Sequence, residues 1–216
     1  MPFILESPGE LLSLTALARF YAALPVLSRN LSNVLPQSPK FLLGMQDKAL
    51  ELLVATKELR HPLLFKDCLI LCLGPWQEPK ASKITDPQIK RAATNALNEI
   101  SSEIVRTQAR IILSMSYEWP TSNMGTALGA GELEAARGLR STHLSCSTIC
   151  LPCYYRNLAN AKTVPYQERL RKLIEPLWES NLRLINAKNL KKRECYFLGV
   201  HIRDEDLPWD QNQTDW

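Results

Sequence analysis

Apolar positions along the chain recur mostly at steps of three and four residues, the spacing of one helix face, and prolines cut the pattern into segments. Leu11, Leu14, Leu17, Ala18 and Tyr21 line a first helix over 9–24. After the break at Pro25, Leu27, Leu31, Val34 and Leu35 mark a shorter one. Ser38-Pro39 reads as a helix start, because a serine hydroxyl accepts an orphan backbone N–H and proline gives up nothing at the first helical position. Leu42, Met45, Ala49, Leu52, Thr56 and Leu59 then predict one amphipathic helix running to His61-Pro62. From Pro62 the period disappears. Leu63-Leu64-Phe65 and Cys68 to Leu73 are apolar on nearly every side, which places this helix in a core. Gly74-Pro75 ends it, and Trp76 is positioned to fold back over that end.

Gln77 to Thr85 reads as a loop, and Asp86-Pro87 opens the longest helix. Its stripe is Ile89, Ala93, Ala96, Leu97, Ile100, Ile104, Gln108, Ile111 and Met115. Residues 121–152 carry four of the eight glycines, then serine, threonine and cysteine without a period, and read as an irregular loop. Tyr154–Ala161 reads as a helical turn. Val164-Pro165 starts a further helix with Leu170, Leu173, Ile174, Leu177 and Leu184 on one side and a kink at Pro176. Leu182–Ile185 and Tyr196–Ile202 have strand-like composition and are expected to pair as a short C-terminal β-hairpin. The expected fold is mainly α, a single multi-helix domain over 1–216 with room for that one hairpin.

Parts of this pattern resemble a known family. Glu58-Leu59-Arg60, Leu64-Phe65-Lys66-Asp67-Cys68-Leu69-Ile70 and Leu73-Gly74-Pro75-Trp76 resemble the helical region that follows the BTB/POZ domain in uncharacterised fungal proteins. Leu24-Pro25-Val26-Leu27-Ser28 is similar to the segment upstream of it, and Asp204-Glu205-Asp206-Leu207-Pro208-Trp209-Asp210 to its acidic ending. The resemblance implies a helical, non-enzymatic protein-interaction module. A complete BTB fold needs strands and helices upstream of Leu11, so the dimerisation and cullin-ligase docking of BTB domains are not carried over.

Composition narrows the function classes. Hydrophobic content of 45% suits a globular protein. A net charge of +4 does not select nucleic acid as a partner. No apolar run approaches the ~20 residues of a membrane helix, and the first residues lack the basic start of a signal peptide. The expected location is intracellular, cytoplasmic or nuclear. Six cysteines invite a disulfide reading, but a reducing compartment keeps thiols free, and Cys68 and Cys72 sit one turn apart in the apolar helix.

His143, Cys146, Cys150 and Cys153 are the metal candidates, since one nitrogen and three thiolates can hold zinc. Only three residues separate the two halves of that set. The expectation is therefore loop cysteines with no metal, no cofactor and no structural disulfide. Glu99 and Glu103 share a polar helix face with Arg106 and Arg110, as intrahelical ion pairs do. Gly125, Gly129 and Gly131 lack the lysine and the preceding strand of a phosphate loop. Arg169, Arg171, Lys172, Lys188, Lys191, Lys192 and Arg193 make the C-terminal third basic, without the aromatic platform of a single-strand binder. No catalytic residue is assigned. Phe65, Leu69, Leu73, Trp76 and Trp209 are expected as structural anchors. Trp209 is expected to dock, with Asp204–Asp206 near the basic 169–193 region.

Overall fold

The computed structural model describes residues 3–74, 76, 79–117, 150–160, 167–210 and 213. They form a mainly α structure of eight helices: α1 (Pro8–Phe20), α2 (Leu24–Val34), α3 (Pro39–Gly44), α4 (Ala49–Glu58), α5 (Pro62–Leu73), α6 (Pro87–Tyr117), α7 (Leu151–Asn160) and α8 (Gln167–Ile174). One contiguous set of buried side chains runs from Leu5 to Leu207. Helix α5 lies at its centre, with nine of its twelve residues buried, among them Phe65, Leu69 and Leu73.

Capping chemistry explains several helix ends. Asp86 caps α6 by accepting the N–H groups of Gln88 and Ile89 at 2.9 and 3.1 Å, the trade expected of an N-cap carboxylate. His61 caps α5: its Nδ1 accepts the Leu64 N–H at 3.2 Å. Helices α1 and α4 end in left-handed residues that are not glycine, Ala22 at φ 53° and Arg60 at φ 47°. Both ends carry the paired bonds of a Schellman turn: Ala23 N–H to Ala18 O with Ala22 N–H to Arg19 O, and His61 N–H to Thr56 O with Arg60 N–H to Lys57 O.

Three sequence expectations change. The helix read over 39–59 is two helices, broken at Met45–Lys48. There Gln46 turns inward and reaches the far end of the chain. Ser38, read as a cap, makes no cap bond; it is buried, accepting the Leu5 N–H at 2.9 Å and donating to Val34 O at 2.8 Å. The hairpin does not form, and no strand occurs among the described residues. Tyr196, Phe197 and Leu198 are buried in succession, so the run lacks the alternation that a two-sided strand requires.

Side chains, with one backbone bond between Asn181 and Leu198, hold these segments in place of a strand ladder. The Asp67 carboxylate accepts the N–H groups of Arg183 at 2.9 and 3.2 Å and of Leu184 at 2.8 Å. Asn181 donates its own N–H to Leu198 O at 3.0 Å and its amide to Val200 O at 3.1 Å. Gln46 donates to Lys191 O and to the Tyr196 hydroxyl and accepts the Lys191 N–H, all at 2.8 Å. Two glycines permit the approach. A Cβ on Gly74 would lie 1.9 Å from the Tyr196 ring, and one on Gly199 would lie 2.1 Å from Pro176 O.

Other boundaries shift less. Helix α6 would span about 46 Å at 1.5 Å per residue, with Thr107 buried where Gln108 was expected. Helix α7 takes in Leu151 and Pro152, at the end of the stretch expected as loop; residues 121–149, with their glycines, lie outside the described residues. Helix α8 stops at Ile174 and passes into a 3₁₀ turn, Glu175–Leu177, at the proline.

Candidate functional site

Helices α1 and α2, joined through Tyr21–Ala23, enclose an open apolar groove of about 430 Å³. Leu14, Leu17 and Tyr21 line it from α1 and its end, and Val26, Leu27 and Leu31 from α2. The sequence placed Leu17 and Tyr21 on the buried face of α1. The core instead takes Leu11, Thr15 and Ala18, leaving Leu17 53% and Tyr21 68% exposed. Phe20, the most exposed large apolar residue among those described at 81%, stacks edge-on against Tyr21 at 5.0 Å. Asn30 is the one polar lining side chain besides the Tyr21 hydroxyl, and its amide is turned onto Val26 O of its own helix at 2.9 Å. The groove therefore offers apolar contact and almost no hydrogen bonding.

A second constellation lies where α7 meets the C-terminal segment. Cys150 and Cys153, both buried, approach Cys195 from 42 residues further on, and the three sulfurs lie within 4.8 Å of one another. The Sγ–Sγ distances are 2.8 Å for Cys150–Cys153 and 3.8 Å for Cys153–Cys195. Burial raises the Cys153 thiol well above its usual range and Cys195 to about 11. Arg156, on the same helix, donates to Tyr196 O at 3.0 Å. Its pKa is held down by burial first and then by Arg193, and the Nε atoms of both arginines are buried without a hydrogen-bond partner. Sequence reasoning found Cys150 and Cys153 but missed Cys195, whose solitary position gave no spacing signal. His143 and Cys146 lie outside the described residues.

The remaining sequence candidates have ordinary surroundings. Cys68 and Cys72 are buried in α5, which pushes Cys68 far up and Cys72 to about 12. Glu103 faces Arg106 at 3.3 Å and Arg110 at 3.8 Å, and Glu99 is exposed. Lys191 pairs with Asp47 at 2.8 Å, while Arg193 acts on Arg156 and has its Nε buried. Burial raises the Asp67 carboxyl pKa against the opposing pull of its backbone donors, and lowers that of His61. Gly125, Gly129 and Gly131 lie outside the described residues.

Two tryptophan anchors sit on aromatic partners. Trp76 meets Phe197 edge-on at 5.0 Å, and Trp209 meets Phe65 of α5 at 5.3 Å. The acidic residues beside Trp209 find partners other than the expected ones. Asp204 pairs with Lys66 at 2.7 Å, Glu205 with Arg203 at 2.7 Å, and Asp206 with Arg203 at 3.3 Å and Asn95 at 2.8 Å. These partners lie on α5, α6 and the tail itself, outside the 169–193 region.

No protein-family model, curated protein or solved structure matches the chain. Among the described residues, no helix is long and apolar enough to cross a membrane.

Proposed function

We propose that the protein is a non-enzymatic interaction module whose α1–α2 groove receives an amphipathic helix of another protein. The exposed apolar lining of that groove carries the reading. Leu14, Leu17, Ala18 and Tyr21 follow i, i+3, i+4, i+7 spacing, and so do Leu27, Asn30, Leu31 and Val34 on α2. Two such ridges leave the furrow that a third helix fills at about 8–10 Å between axes. Contiguous exposed apolar surface of this kind marks interaction sites, and helix-in-groove docking supplies the apolar contact it offers. The aromatic pair at the rim fits the enrichment of tyrosine among residues that dominate binding. The resemblance of the 58–76 stretch to the region after BTB/POZ domains supports the same class.

A photo-crosslinking residue at Leu17, with one at exposed Ser101 as control, tests this in native lysate. Cross-links confined to the Leu17 position, mapping by mass spectrometry to an apolar helix face of one other protein and abolished by Val26→Asp, are expected. Equal cross-linking at both positions would refute the groove. Cross-links only to further copies of this chain would replace the hetero-partner with self-association.

A further inference from the structure

We propose that Cys150, Cys153 and Cys195 form a three-thiolate site for a single zinc ion, tying the start of α7 to the C-terminal segment. This replaces the expectation of loop cysteines without a metal. Three sulfurs from two separate stretches converge within 4.8 Å. The 3.8 Å between Cys153 and Cys195 equals the edge of a zinc–thiolate tetrahedron, because sulfurs about 2.3 Å from zinc stand roughly 3.8 Å apart. Cys150–Cys153, at 2.8 Å, exceeds the ~2.05 Å of a disulfide bond and needs an opening of about 1 Å to reach the same tetrahedral edge.

The local chain supports that arrangement. Cys150-Leu151-Pro152-Cys153 has the C-x-x-C spacing by which two thiolates meet one ion. Cys150 stands just before α7 and Cys153 within its first turn, with the Tyr154 N–H bonded to Cys150 O at 2.9 Å. The sulfur ligand set selects zinc over magnesium or calcium, which require oxygen.

Charge gives a second, independent reason. Arg156 and Arg193 repel each other beside the cluster, and both keep a buried Nε without a partner. With the thiols protonated, the carboxylate set against Arg156 is that of Glu194, which is itself exposed. Three thiolates around a divalent ion carry a net single negative charge, which the two guanidiniums offset. Loading is a ligand exchange without redox change: three S–H protons leave to solvent as three Zn–S bonds form. Among the described residues no fourth metal-ligating side chain joins the cluster, and the proposal rests on the three thiolates alone.

Full-length protein, kept reduced and stripped with a chelator, is titrated with zinc against a chromophoric chelator, and cobalt(II) is substituted in parallel. About one zinc per chain is expected, with thiolate-to-cobalt charge-transfer absorption, and with Cys150, Cys153 and Cys195 gaining protection from a thiol reagent on zinc addition, while Cys68 and Cys72 are shielded by burial with or without it. Cys153→Ser and Cys195→Ser should each weaken binding by more than roughly tenfold, while Cys68→Ala should leave it unchanged. Wild-type stoichiometry and thiol protection remain decisive where a variant fails to fold. No stoichiometric zinc in the wild type, or undiminished affinity in a folded Cys195→Ser, would overturn the proposal. A native Cys150–Cys153 disulfide that persists where zinc is supplied would also overturn it.

Discussion

Replacing Asp67 tests the feature that organises the C-terminal third. Its carboxylate is fully buried on α5 and accepts the N–H groups of Arg183 and Leu184. Asp67→Ala leaves both without an acceptor. At roughly 1–3 kcal/mol for each unsatisfied buried donor, the gross loss is about 2–6 kcal/mol. Part is offset, because burial already disfavours the carboxylate, leaving an expected loss of about 2–4 kcal/mol. Asp67→Asn keeps one acceptor oxygen but turns an N–H₂ toward a backbone donor, so about 1–2 kcal/mol is expected. Urea unfolding followed by circular dichroism reads both. With a slope near ~2 kcal/mol/M, the alanine midpoint should fall by about 1–2 M. Hydrogen exchange locates the effect: the Arg183 and Leu184 amides should lose protection before the core amides of α5. A loss below ~0.5 kcal/mol in Asp67→Ala, with those amides still protected, would refute the idea that this carboxylate holds the segment.

Three further outcomes follow from the same structure. His61 has its pKa lowered by burial and caps α5 through an unprotonated Nδ1, so its contribution is present above its ordinary value of 6.5 and is lost as pH falls through the lower folded value. His61→Asn, a cap that does not titrate, should flatten the fall in stability between neutral and mildly acid pH; an unchanged profile would disprove the cap's role. Trp209→Ala should cost about 2–3 kcal/mol, from lost ring burial and the edge contact with Phe65, and Trp209 as the sole tryptophan should emit blue-shifted and resist acrylamide, red-shifted quenchable emission being the contrary result. Ala22→Gly relieves a left-handed alanine and should raise stability by about 0.5–1 kcal/mol in thermal or urea unfolding, whereas a decrease would show that the strain is absent.

The helices were legible because proline and capping residues punctuate a clear period: Asp86-Pro87, His61-Pro62 and Gly74-Pro75 each bound an element where the sequence placed the boundary. The C-terminal third was not, because its order comes from side chains far away in sequence. Nothing near residues 182–202 announces that Asp67 and Gln46 will take their backbone bonds, so apolar content alone suggested a hairpin. The exposed groove was missed for a related reason. Leu14, Leu17 and Tyr21 fit the same helical period as the true core face, and only the position of α4 decides which side of α1 is covered. Cys195 was invisible because metal-ligand spacing is local, whereas its neighbours Cys150 and Cys153 are brought to it by the packing of α7.

The Gln46 and Asp67 anchors also set a timetable for the chain as it is made. Gln46 waits for partners 145 and 150 residues downstream, and Asp67 for one 117 residues away. At ~5–20 residues per second, the ribosome takes roughly 6–23 s to go from Asp67 to Leu184. During that interval α5, the most apolar helix, carries a carboxylate without its donors and has no C-terminal segment to cover it. Closing a loop of that length costs about 4 kcal/mol of chain entropy before any constant is added. Until the last third arrives, the emerging N-terminal half therefore leaves α5 without the segment that covers it in the finished fold.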